Sequence, residues 1–174
     1  MVCETYDLDR DYEWVMKGNF EKASFFVTLY SNVDGSLAKN GRFVVGIVQG
    51  QSFNYWKKYE SAYKKGDKLE YGLEKNRIAQ ILIKRAEKVI PGLAKHIEVL
   101  KIGTPLTLKR FSGNTNGAIY GWASNVNQFT PMDRMTKIPV KNLYLSSAWT
   151  FPGGGQTASI ASGYRVAKQI AGRD

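Results

Sequence analysis

The 174-residue chain is short of most residues that build catalytic or metal sites. It has one cysteine, Cys3, and one histidine, His96. A single cysteine excludes an internal disulfide and a cysteine-based metal cluster. A single histidine, following Lys95 at the start of a predicted strand, reads as exposed rather than catalytic, and no Ser/His/Asp arrangement can be assembled around it. No apolar run approaches the ~20 residues of a membrane span. The opening Met1-Val2-Cys3-Glu4-Thr5 has no secretory leader pattern. A reducing cytoplasm, or its membrane face, is therefore the expected compartment. Acidic residues are also in the minority: 15 Asp and Glu against 25 Lys and Arg give a net charge of +10. Such a balance suits nucleic acid, an anionic membrane surface or a phosphorylated cofactor. Here the pairs Lys57-Lys58, Lys64-Lys65 and Lys84-Arg85 are mixed with acids on helical segments, which reads as a solvated face. No zinc-finger spacing, RNA-binding motif or basic tail is present, so nucleic acid is not expected.

With 43% hydrophobic residues the chain can build a core. The first 20 residues are polar and aromatic without a clear period. Asp7, Asp9, Asp11 and Glu13 alternate, but without the glycine and closing glutamate of a calcium loop they read as a solvated acidic turn. Residues 24–33 alternate as a strand. Residues 42–48 form a second strand, apolar on both faces and so expected inside a sheet, joined to the first as an antiparallel pair with a long loop. Residues 52–65 read as a helix broken by Gly66-Asp67. Residues 69–90 are the strongest helix, with Leu69, Leu73, Ile78, Ile81, Leu82, Val89 and Ile90 on one stripe. A third strand is expected over 96–102. Thr104-Pro105 then has the form of an N-cap with proline at the first helical position, opening a helix to Phe111. Residues 112–141 are loop-rich, with a turn at Pro131-Met132-Asp133 and a short strand at Ala118-Ile119-Tyr120. The aromatics Tyr55, Trp56, Tyr59 and Tyr63 lie at helical spacing, either as core packing or as the wall of a tunnel for a long apolar substrate.

The chain closes on its most informative stretch. Leu143-Tyr144-Leu145 reads as a buried strand, stopped by Pro152 and the run Gly153-Gly154-Gly155. Ile160, Gly163, Tyr164, Ala167, Ile170 and Ala171 then recur at helical spacing. A helix that opens just after three glycines offers free N–H groups and a positive dipole end to a phosphate or an electron-rich ring edge. A tight turn with a docked helix satisfies the same pattern.

Three blocks in order carry a family resemblance: Thr104-Pro105-Leu106-Thr107 with Arg110-Phe111; Asn116-Gly117-Ala118-Ile119-Tyr120-Gly121-Trp122; and Leu143-Tyr144-Leu145, Pro152-Gly153-Gly154-Gly155, Ser162-Gly163. The second half of the chain resembles the C-terminal part of the phytoene desaturase, carotenoid isomerase and retinol saturase group of FAD-dependent oxidoreductases. A looser likeness runs upstream through Ile90-Pro91-Gly92-Leu93. The resemblance implies an α+β fragment: part of a mixed-sheet substrate domain over 1–103, then the C-terminal strand–turn–helix of a Rossmann-like FAD-binding domain over 104–174. It implies FAD as cofactor of the full-length parent, with Ser147 and Ala148 by the ribityl–phosphate segment, Gly153, Gly154, Gly155, Gln156 and Thr157 by the flavin ring, Pro152 also among the cofactor-binding residues, and Tyr120 and Trp122 lining the substrate. Many members have Gly-Asp where this chain has Ser147-Ala148, so a carboxylate that could bind the cofactor is missing. The G-x-G-x-x-G strand–turn–helix that holds the adenine half is absent too: Gly46-Ile47-Val48-Gln49-Gly50 has the wrong spacing.

The implied function is that of a C-terminal fragment of an oxidoreductase acting on carbon–carbon bonds of an apolar polyene, inactive alone. No residue presents itself as the proton donor, and flavin chemistry asks few side chains for one. The implied partners are the missing N-terminal half, an apolar polyene-like substrate, a peripheral membrane contact and a second copy of the fragment. The alternative from composition is a stand-alone basic module for an anionic partner, nucleic acid or membrane lipid.

Overall fold

The first helix, α1 (Leu8–Lys17), is set by its ends. Asp7 caps it by accepting from the Arg10 N–H at 3.0 Å, Asp9 and Asp11 sit in its first turn, and Gly18 closes it with φ 71°. These are the acids that read as a solvated turn. They open a helix instead, because acids are favoured where helix N–H groups are unpaired. Asp11 also reaches off the helix to the Ser24 N–H (2.7 Å) and hydroxyl (2.6 Å). The structure, a computed structural model, describes residues 1–123 and 138–172. The expected turn at Pro131-Met132-Asp133 lies outside the described residues.

The chain divides into two units, Met1–Phe111 and Ser112–Asp174. In the first, β1 (Phe26–Leu29) pairs antiparallel with β2 (Val45–Val48), Phe26 opposite Val48 and Leu29 opposite Val45. The antiparallel pair with a long loop is as expected. Both strands are shorter than their patterns, because the chain turns into a 3-10 turn at Tyr30–Asn32. Moreover, β2 is not interior: the sheet has two strands among the described residues, and Val48 is exposed. At Gly46 an added Cβ would press into the Tyr30 ring, which accounts for a glycine within the strand. The strand expected over 96–102 does not form. Leu93–His96 is a 3-10 turn, and Glu98 turns out to pair with Arg42 at 2.8 Å.

Helical segments carry the core. Residues 52–65 form α2 (Phe53–Trp56), a 3-10 turn (Lys57–Tyr59) and α3 (Glu60–Lys64), stopped at Gly66 with φ 90°. The long helix α4 (Leu69–Ala86) ends earlier than its pattern, and its inward face is rotated from the expected stripe. Tyr71, Ile78, Ala79, Ile83 and Ala86 are buried, while Leu69 is 72% exposed and Leu73 is also outside. Tyr71 displaces them because its ring completes an aromatic cluster with Phe20, Trp56, Tyr59 and Tyr63. The edge-on pair Tyr63–Tyr71 lies at 4.9 Å and Trp56–Tyr71 at 5.8 Å. Thus Trp56 is core, and Tyr55, Tyr59 and Tyr63 are half-buried against it. The depression beside them, lined by Lys58, Tyr59, Ala62, Asp67, Glu70 and Tyr71, holds about 50 Å³, which is water-sized rather than polyene-sized.

Arg85 corrects the solvated reading of its basic pair. It is 6% exposed, and Nη1 donates to the Phe20 and Ala23 carbonyls, each at 2.7 Å. The last helix of this unit, α5 (Pro105–Ser112), begins as expected. The Thr104 hydroxyl accepts from the Thr107 N–H and meets the buried Tyr71 hydroxyl at 2.7 Å.

The second unit has one α-helix among the described residues, α6 (Gln156–Ile170), and a 3-10 turn, Thr115–Gly117. Neither Ala118–Tyr120 nor Leu143–Leu145 forms a strand, and Leu143, Tyr144 and Leu145 are exposed rather than buried. The described residues build a small α+β fragment, helices together with one two-stranded sheet.

Candidate functional site

The candidate site lies in the second unit, where two of the three sequence blocks meet. Gly121 has φ 81°, and an added Cβ there would overlap the Ala148 carbonyl. Gly154 meets the same block: its Cβ would overlap the backbone of Tyr120. Glycine is therefore required at both positions because backbone passes against backbone with no room for a methyl group. Trp122 packs edge-on against Trp149 with ring centroids 5.0 Å apart. The proposed substrate-lining residues Tyr120 and Trp122 are thus brought beside Ala148 and Gly154, with both rings exposed.

A local turn holds the Ser147 end. The Ser147 N–H donates to Thr150 Oγ1 (3.2 Å), Thr150 Oγ1 donates back to the Ser147 carbonyl (2.9 Å), and the Ser147 hydroxyl accepts from the Trp149 N–H (3.1 Å). Thr150, buried, meets the buried Ser162 hydroxyl of α6 at 2.8 Å. The chain then passes a cis Phe151–Pro152 peptide and the glycines Gly153 (φ 111°) and Gly155 (φ 107°). No side chain caps α6, and its first turn contains no acid. Gln156 and Thr157 are exposed at this end. The arrangement leaves a positive helix terminus open to an anion, whereas the Ser147 backbone N–H is already spent. Sequence reasoning missed Trp149 and Thr150; only the fold shows that one props Trp122 and the other ties the turn to α6.

Elsewhere the basic residues are largely occupied within the chain. Lys58 lies over the Tyr55 and Tyr59 rings, Lys68 over Tyr63 and Lys75 over Tyr71. Lys109 first and then Lys64, each reaching Glu60 at 2.8 Å, hold its carboxyl down to about 2. Glu74 is also held at about 2, chiefly by Arg77 and further by the Tyr55 hydroxyl, against the opposing effect of burial. His96 is exposed, its Nδ1 2.9 Å from the Gly92 carbonyl, and Cys3 is an exposed free thiol. Among the described residues no group of three His, Cys, Asp or Glu could hold a metal, and no helix is long and apolar enough to cross a membrane.

Comparison with curated proteins gives the site its context. The chloroplastic prolycopene isomerase of Arabidopsis thaliana is 29% identical over 182 residues, covering 97% of this chain and 27% of that protein. The curated homologues that match the chain are prolycopene isomerases. The protein of that name from Daucus carota is 28% identical over 85% of the chain, and one from an Oncidium hybrid cultivar 29% over 85%. The resemblance read from the three blocks is to the same group, the carotenoid isomerases of the phytoene desaturase family. The chain spans about a quarter of the length of these prolycopene isomerases. No protein-family profile and no solved structure matches it.

Proposed function

We propose that this chain is the C-terminal, flavin-facing portion of an FAD-dependent oxidoreductase that acts on carbon–carbon bonds of an apolar polyene, and that it is inactive alone. The observation that carries this reading is the approach of Gly121 to Ala148 and of Gly154 to Tyr120, which joins the second and third blocks at the opening of α6. Residues 1–103 then belong to a substrate domain, and 104–174 return to a Rossmann-like FAD-binding domain.

The residues fit the cofactor in part. Gly155, Gln156 and Thr157 offer an uncapped, acid-free helix end, suited to the electron-rich edge of a flavin. Pro152, Gly153 and Gly154 shape the approach to it. Ser147 and Ala148 would face the ribityl–phosphate segment without the carboxylate common in the group. When bound, the flavin would supply hydride exchange with the polyene. Tyr120 and Trp122 would give the substrate an apolar wall and exclude water. The alternative, a basic module for nucleic acid or anionic lipid, has less behind it, because Lys58, Lys64, Lys68, Lys75 and Lys109 are engaged within the chain. The lone exposed thiol suits a reducing compartment, whether cytoplasm or, as in the names of the relatives, chloroplast.

Titration of the purified chain with FAD, followed by flavin fluorescence, tests the reading. Weak or absent binding is expected, because the dinucleotide-binding turn that supplies most pyrophosphate contacts is missing. Sub-micromolar affinity would overturn it and point to a complete flavin site within these residues.

A further inference from the structure

Every buried apolar side chain among the described residues belongs to the first unit. In the second, the buried residues are Gly117, Thr150 and Ser162. Its apolar residues face outward instead. Ile160 is 74% exposed, Tyr164 67% and Ile170 62%, on one stripe of α6. Leu143, Tyr144 and Leu145 are exposed as well, and they run beside this helix: a Cβ added to Gly163 would meet Ser146 Oγ at 3.5 Å. The N–H groups of Tyr144, Leu145 and Ser146 have no hydrogen-bond partner among the described residues. A segment with strand composition, N–H groups without partners among the described residues and an exposed apolar helix face beside it has the form of a surface that pairs with a further element.

We propose that Leu143–Leu145 and the outer face of α6 form one docking surface for the remaining part of a prolycopene isomerase-like polypeptide. That polypeptide adds a strand along Leu143–Leu145 and lays an apolar, acid-bearing element over Ile160, Tyr164 and Ile170. Two observations choose this occupant over a second copy. The relatives are about four times as long as the chain, so a polypeptide large enough to supply both elements exists in them. And α6 contains no Asp or Glu, in a chain of net charge +10, so a second copy would bring like charge to the face whereas an acidic element complements it. The proposal rests on the reading of the chain as part of such an enzyme.

The test is co-expression of the full chain with the part of the Arabidopsis prolycopene isomerase that lies outside the matched residues. That part paired with its own matched quarter serves as the reference. Sedimentation is expected to show a one-to-one complex. Amide exchange at Tyr144–Ser146, fast in the chain alone, should slow in the complex. The double variant Ile160→Asp with Tyr164→Asp should weaken the complex by about tenfold or more while leaving the melt of the free chain unchanged, since both side chains are exposed. Failure to pair while the reference assembles overturns the proposal, as does a complex indifferent to the double variant. A dimer of the chain alone that the same variant dissolves overturns it in favour of a second copy. Bound flavin is read separately. A flavin-free complex formed through this face keeps the docking and removes the cofactor reading. A flavin-bearing complex indifferent to the variant does the reverse.

Discussion

Arg85 and Gly154 set the terms at the scale of single residues. The Arg85 guanidinium lies 4.6 Å over the Phe25 ring while one nitrogen holds two carbonyls, so the charge is buried with its partners. Arg85→Met leaves the Phe20 carbonyl without its short partner and is expected to cost about 2–4 kcal/mol in urea unfolding. Arg85→Lys should recover little of this, because an ammonium cannot fork to both carbonyls and Lys22 as the guanidinium does. A loss below ~1 kcal/mol for Met would show that the carbonyls find other donors. Gly154 differs from its neighbours Gly153 and Gly155 in that its φ is not left-handed; what it lacks is space. Gly154→Ala is therefore expected to destabilise the second unit by roughly 1–3 kcal/mol without any cofactor present. Amide exchange of α6 would read that loss, and an unchanged exchange rate would mean that Tyr120 gives way. The need for glycine here was visible in the sequence; its cause was not, because Tyr120 is 34 positions away and nothing in the spacing predicts the encounter.

At the scale of elements, local chemistry was legible wherever it was decided locally. Thr104-Pro105 announced α5, and Gly66 announced the break before α4. Thr104→Ala removes both the cap and a partner of the buried Tyr71 hydroxyl, and should cost about 1–2 kcal/mol in thermal unfolding. What was not legible was pairing. Residues 42–48 and 143–145 have the composition of buried strands, yet composition does not say which strand lies alongside, and only 45–48 finds one. The face of α4 was misread for a related reason: Leu69 and Leu73 suit a core, but Tyr71 occupies it through contacts with α2, α3 and α5. The same helix carries a titration. Arg77 and Tyr55 hold Glu74 at about 2 from an ordinary 4.5. A lowered folded-state value contributes stability above the unfolded value that is lost as pH falls through the folded one. Wild-type stability should thus fall between about pH 4.5 and about pH 2. The advantage of wild type over Glu74→Gln, read from urea midpoints at about pH 5.5 and about pH 3, should shrink across that interval. A constant difference would mean that the carboxylate contributes through shape alone.

The whole molecule divides its resources unevenly. The first unit holds the aromatic core, and the second is tied by hydroxyls and backbone contacts. Calorimetry of the isolated chain is expected to resolve two transitions, and limited proteolysis should cut first within 112–172. A single transition would show that the second unit draws its stability from elsewhere. The three-block likeness was legible because glycines, prolines and aromatics stand out in order and spacing, although the contacts they make, Gly121 on Ala148, Gly154 on Tyr120 and Trp122 on Trp149, are not local. The lopsided distribution of core was not, because the apolar stripe of α6 looks the same in sequence whether it is covered or bare.

The edge-on pair of Trp122 and Trp149 has a use that none of this requires. Two indoles held at a fixed angle couple their electronic transitions, so the second unit carries its own chiroptical signal, absent when the rings separate. Trp56, enclosed in the first unit with its N–H on Gln51 at 2.7 Å, has no second indole paired with it among the described residues and does not contribute to this couplet. The indole pair thus gives the second unit an optical signature of its own, and its melting, or its meeting with a partner, can be watched without a label.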